Sequence, residues 1–139
     1  MNDFTIKTHR AGIAYSQTHF FILNKGLNCG KPLKTPCPNC FVLQFASESC
    51  AENYYWLAYS LWKSSYWHQF LIGSVIPYFR IDEFTSEYKR KSARMFFEFD
   101  QHQKQIKALR LLEAQEENTR QQLYLIKIMR QRVLSWYQK

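Results

Sequence analysis

After Pro77 the chain runs 62 residues to its end without a glycine or a proline. Those residues are the usual points at which a helix stops, and the stretch is dominated by Glu, Gln, Lys, Arg, Leu and Ala, all good helix formers. A helix is therefore predicted from near Glu83, with Asp82 as its cap. Ile106, Leu109 and Leu112, then Leu123, Ile126, Met129 and Val133, recur at the three- and four-residue steps of one helical face. Between them EAQEENTRQQ, residues 113–122, has almost no apolar face. As one helix, residues 84–139 would extend roughly 84 Å, too long to pack on the body before them. Either the helix projects and pairs with another chain, or it folds back near Asn118 as a hairpin. A long helix, continuous or interrupted, used for association is expected, with Ile106, Leu109, Leu112, Leu123, Ile126 and Val133 as a homodimer interface.

Upstream the pattern has a different period. Residues 3–9 alternate apolar and polar and read as a short strand, and Arg10–Gly12 as a turn. HFFILNK (19–25) and FVLQFAS (41–47) read as two apolar strands that pair antiparallel across the loop between them. Ser49 and Glu52 fit a capping box, opening a helix that runs to about Ile72 and ends at Gly73. SVIPYFRI (74–81) returns to β character, with Pro77 making it an edge strand or splitting it. The expected fold is α+β: a small, mostly antiparallel sheet covered by an aromatic-rich helix, with a head over residues 1–82 and a helical segment over 83–139.

The connecting loop GLNCGKPLKTPCPNC, residues 26–40, holds three of the four cysteines. Cys37-x-x-Cys40 is half of a zinc knuckle, yet only Cys29 is close enough to join it, because Cys50 lies beyond a strand about 23 Å long. A redox pair belongs at a helix start, whereas this one runs into a strand. Gly26 and Gly30 are too close for a phosphate loop, and Lys31 is followed by proline. The loop then reads as a rigid, proline-stiffened connection exposing Lys25, Asn28, Lys31 and Lys34. Its lysines suit phosphates, and Asn28 suits a base edge.

The net charge of +8 favours an anionic partner, nucleic acid before membrane. EYKRKSAR, residues 87–94, adds Lys89, Arg90, Lys91 and Arg94, a second phosphate-binding candidate. Asp82 with Glu87-x-Lys89 has the residue types of a metal-dependent nuclease, but on one helix its acids do not converge. No Ser/His/Asp or Cys/His spacing supports nucleophilic catalysis, so no enzyme, metal or other cofactor is expected. The outward aromatics of NYYWLAYSLWKSSYWHQF suit stacking on unpaired bases, but core and dimer contacts are the expected use. The N-terminus lacks the apolar segment of a signal peptide and no run is long enough to span a bilayer, so a cytoplasmic location with reduced thiols is expected.

NCFVLQF, ENYYWLAYSLWKS and GSVIPYFRIDEF, in that order, resemble the second half of a target recognition domain from type I restriction-modification specificity subunits. DQHQKQIKALRLLEAQEENTRQQLYLIKIMRQRVL is similar to the spacer helix that follows such domains. The chain is also similar to small uncharacterised proteins of gut bacteria. The first resemblance implies a non-enzymatic module that binds double-stranded DNA, with two copies joined by their tails imitating one two-lobed subunit. The alternative is a protein–protein adaptor that docks its long helix on a larger partner.

Overall fold

The computed structural model of the chain describes residues 4–139, which divide into two compact units, one up to Phe97 and one from Glu98 to Lys139. The first unit contains a four-stranded antiparallel sheet in the order β1-β4-β2-β3. The strands are β1 (Phe4–Thr8), β2 (Thr18–Leu23), β3 (Pro32–Leu33) and β4 (Cys40–Phe45). β2 and β4 pair as expected, Phe20 opposite Leu43 and Ile22 opposite Phe41. Both read as nearly continuous apolar runs because both of their faces are covered. One face presents Phe4, Phe20, Ile22, Phe41, Leu43 and Phe45 to the main core. The alternate residues Phe21, Cys40 and Val42 pack on the other side with Tyr15, Leu33 and Cys37.

α1 (Glu48–Lys63) follows β4 directly. Its cap is Ser47, not Ser49: the Ser47 hydroxyl accepts from the Cys50 amide at 3.3 Å while its backbone is still extended. The helix stops at Lys63, nine residues before the expected end at Ile72. Ser64 caps it, Ser65 takes a left-handed φ of 60°, and a 3₁₀ turn covers Tyr66–Phe70. Trp67 gives the reason. Four residues after exposed Lys63, it would share that solvent face in a continuous helix. The left-handed step instead turns it inward, where it is 1 % exposed and lies 5.3 Å from Phe79 and 5.0 Å from Phe84, centroid to centroid.

Gly73, expected to end that helix, serves a turn in which Ile72 and Tyr78 exchange backbone hydrogen bonds of 2.8 and 2.9 Å. Residues 74–81 form no strand; Tyr78 makes single bridges to Ile72 and Lys25. α2 (Ile81–Phe97) starts one residue before Asp82, so Asp82 and Glu83 occupy its first turn, where acids complement the helix dipole. It buries Phe84, Tyr88, Ser92 and Met95 on one face, and the Tyr88 hydroxyl donates to the Tyr54 carbonyl at 2.6 Å. The boundary expected after residue 82 therefore lies after Phe97: α2 is core, not extension.

The second unit is α3 (Phe99–Ser135), 37 residues, preceded by a non-helical Glu98 and followed by a 3₁₀ turn at Trp136–Gln138. It is about 55 Å long and continuous through Asn118, where a hairpin would have turned. Among the described residues, no helix is long and apolar enough to cross a membrane.

A candidate nucleic-acid interface

The connecting loop is more folded than its sequence indicates. Pro32 and Leu33 make β3 on the edge of β2, a place that tolerates proline because its missing amide faces away from the ladder. The turn before β3 is closed by the Gly30 amide to the Leu23 carbonyl at 2.7 Å and the Lys31 amide to the Asn28 carbonyl at 3.0 Å. Gly26 donates to the Pro77 carbonyl at 2.7 Å, tying the loop to the Gly73 turn. Gly30 has a φ of +93°, and a Cβ there would lie 2.2 Å from Cδ1 of Trp67. The indole edge rests on bare backbone, which holds the loop against the core.

This fixed loop lays two lysines on the aromatic side of α1. Lys31 Nζ lies 5.2 Å from the centre of the Trp62 ring, and Lys34 Nζ 6.0 Å from that of Tyr55. Tyr55 and Trp62 are seven residues apart on α1, so they share one face about 10.5 Å apart along the helix axis. Lys63 Nζ also lies 4.9 Å from the Trp62 ring centre. Among the described residues Lys31, Lys34 and Lys63 make no ion pair. Their charges rest on rings, not on carboxylates.

The second basic cluster is built differently. Arg90 Nη2 donates to Glu87 Oε2 at 2.7 Å and to the Tyr66 hydroxyl at 2.8 Å, and that hydroxyl donates to the same carboxylate oxygen at 2.6 Å. The Arg90 hydrogen bond, then that of Tyr66, holds the Glu87 carboxyl below its ordinary range. Arg90, expected to be a phosphate contact, is thus already matched by an acid. Lys91 is half-buried with Nζ 4.5 Å from the Tyr66 ring centre, while Lys89 and Arg94 are exposed. Asp82 and Glu87 are five residues apart on α2 and point in different directions, so they make no paired-carboxylate site.

Lys25 and Asn28 are exposed on the loop, and Lys25 helps line an open hollow of about 580 Å³ with Asn24, Val75, Ile76 and Tyr78. The loop cysteines are divided by the sheet. Cys29 packs in the main core while Cys37 and Cys40 lie on the other face, so the three do not converge on one point. Among the described residues no three His, Cys, Asp or Glu side chains cluster as metal ligands. Burial pushes the Cys29 and Cys40 thiols up to about 11, which keeps them protonated at neutral pH.

Of the expected association residues, Leu112, Leu123, Ile126 and Val133 are exposed and Leu109 is half-buried. Ile106 is 4 % exposed in the single chain and does not belong with them. Tyr55, Trp62 and Lys63 were not expected at the candidate interface. The contacts of Lys31 with Trp62 and of Lys34 with Tyr55 join positions 31 and 21 residues apart, and no local spacing announces them.

Fold and surface together define an α+β head that carries ring-supported lysines at one sheet edge, followed by a long helix. The chain belongs to a family of unknown function, DUF6943, whose model matches residues 6–136. No curated protein and no solved structure matches it.

Proposed function

We propose that the head is a non-enzymatic nucleic-acid-binding module and that α3 joins two copies of it. The observation that carries the first half is the set Lys31, Lys34 and Lys63, held over Trp62 and Tyr55 without an acidic partner among the described residues. A cation on a ring at a water-accessible site gains on the order of 0.5–1 kcal/mol and keeps its charge, so at the half-buried Tyr55 and Trp62 a phosphate takes the ammonium without breaking an ion pair. Residues 1–97 carry eleven basic against six acidic side chains, so the field of the head is positive as well. The likeness to target recognition domains makes duplex DNA the first probe.

The test is fluorescence anisotropy with a mixed-sequence duplex at about 50 mM salt, where micromolar binding is expected. With Lys31, Lys34, Lys63 and Lys89 on phosphates, log K falls against log salt with a slope of about −4. The double variant Lys31→Glu, Lys34→Glu loses at least about tenfold in affinity. No binding in the micromolar range, or an unchanged double variant, overturns the reading.

A protein–protein adaptor is the second reading, favoured by the exposed apolar side chains of α3, among them Leu112, Leu123 and Val133. Such a chain purifies with a protein partner and a low ratio of absorbance at 260 to 280 nm.

A further inference from the structure

We propose that α3 pairs with the α3 of a second copy in antiparallel orientation, in the one register that sets Leu112 against Leu123 of the partner subunit. This rests on the association half of the reading above and is independent of its nucleic-acid half. The starting observation is the period. From Leu109 the positions 109, 112, 116, 119, 123, 126, 130 and 133 alternate steps of three and four, the repeat of a two-stranded coiled coil. Five of them are apolar: Leu109, Leu112, Leu123, Ile126 and Val133. Four of those five are at least 50 % exposed in the single chain. The polar positions, Glu116, Thr119 and Arg130, decide the direction.

In a parallel pair each seam position meets its own copy. Glu116 would then face the partner's Glu116, and Arg130 the partner's Arg130, giving two like-charge layers. In an antiparallel pair centred between Glu117 and Asn118, Leu109 meets the partner's Ile126 and Leu112 the partner's Leu123. Glu116 then meets the partner's Thr119, and Arg130 the partner's Gln105. No like charges meet, and four layers are wholly apolar. Sliding by one heptad toward the C-terminus sets Leu112 against the partner's Arg130 and Ile126 against the partner's Glu116. Sliding the other way sets Leu112 against the partner's Glu116. Both bury a charge beside an apolar side chain.

Two details of α3 fit the centred register. Arg120 holds the Glu116 carboxylate at 2.8 Å and that of Glu117 at 2.7 Å, one guanidinium shared by two acids, so this centre stays net negative and is better placed against the neutral Thr119 of the partner subunit than against its own copy. Between Leu112 and Leu123, beside Glu116 and Thr119, the helix surface leaves a shallow hollow of about 650 Å³. In this register the hollow lies at the two-fold axis, where the partner's central side chains seat.

The test uses the full chain. Sedimentation equilibrium is expected to give a dimer, and Leu112→Glu to raise its dissociation constant at least about 30-fold. Leu112→Cys and Leu123→Cys are then made separately, checked for helix content, and oxidised alone and as an equal mixture. Disulfides are mapped by peptide mass spectrometry, which separates them from the native thiols. A link between positions 112 and 123 that forms only in the mixture is the expected result. Links between like positions in the single variants keep the dimer but overturn the antiparallel register. A monomer overturns association and this proposal together, leaving the seam to another protein. A tetramer, which would also use Tyr124 and Leu125 outside the seam, overturns the two-stranded pairing.

Discussion

Replacing Gly30 with alanine is expected to cost the head about 2–4 kcal/mol, beyond an ordinary loop substitution. Two terms add. At a φ of +93° an L residue is strained by about 1–2 kcal/mol, partly offset by the reduced freedom of the unfolded chain. The new methyl also lies 2.2 Å from Trp67 Cδ1 and 2.7 Å from Nε1, and an indole only 1 % exposed has nowhere to retreat. Overpacking of this kind costs about 1–3 kcal/mol, and more where neighbours are rigid. Gly26 is the internal control: its φ is +98°, with nothing within 4 Å of a Cβ. Gly26→Ala carries the backbone term alone, about 1 kcal/mol. Urea unfolding of the two variants, followed by tryptophan fluorescence, measures the difference, which is the overpacking term of about 1–3 kcal/mol. If the two midpoints agree within error, Trp67 does not rest on Gly30. The support for Lys31, the next residue, then goes with it.

Three further outcomes are expected. Ser47→Ala costs about 1 kcal/mol in urea unfolding while Ser49→Ala costs little, because the Ser47 hydroxyl makes the cap bond. Thermal stability holds up to about pH 9 and declines toward pH 11: the Cys29 and Cys40 thiols are raised in the fold, so the unfolded chain releases their protons first. A Tm that stays flat across that window would contradict their burial. Glu87→Gln releases Arg90 from its carboxylate, and anisotropy on duplex DNA is expected to show tighter binding with a salt slope steeper by about one; an unchanged slope would mean that Arg90 does not face the ligand.

How much of this was legible in the sequence depends on whether the deciding contact is local. β2 and β4 are readable because their apolar runs carry the covering of both faces in themselves. β3 is not, since Pro32 and Leu33 become a strand only by lying on β2. The end of α1 is hidden for a similar reason. Neither Gly nor Pro occurs among residues 63–67, and the break is set by the need to bury Trp67 against Phe79 and Phe84. α2 was assigned to the extension because its lack of breakers matches that of α3. The pattern Phe84, Tyr88, Ser92, Met95 was present in the sequence and marks its buried face. At the candidate interface the lysines of the loop were identifiable, but the rings beneath them were not, because Lys31 meets Trp62 only in the folded head.

The same distinction reverses the ranking of the two basic segments. In sequence EYKRKSAR is the denser run, with four cations in six residues from Lys89 to Arg94. In the fold Arg90 is bound to Glu87, so at any distance much beyond the pair its charge is cancelled. The loop has fewer cations, but its two ring-supported lysines, Lys31 and Lys34, are attracted to a quadrupole, and a quadrupole does not neutralise them. Lysine suits this arrangement better than arginine: its compact ammonium approaches a ring with donors still turned outward, whereas a guanidinium tends to lie flat on the aromatic face. A polyanion approaching the head therefore meets three ring-supported ammonium groups at the β3 edge, Lys31, Lys34 and Lys63, above Tyr55 and Trp62. That is why charge reversal at Lys31 and Lys34 is expected to weaken binding more than the same change at Arg90.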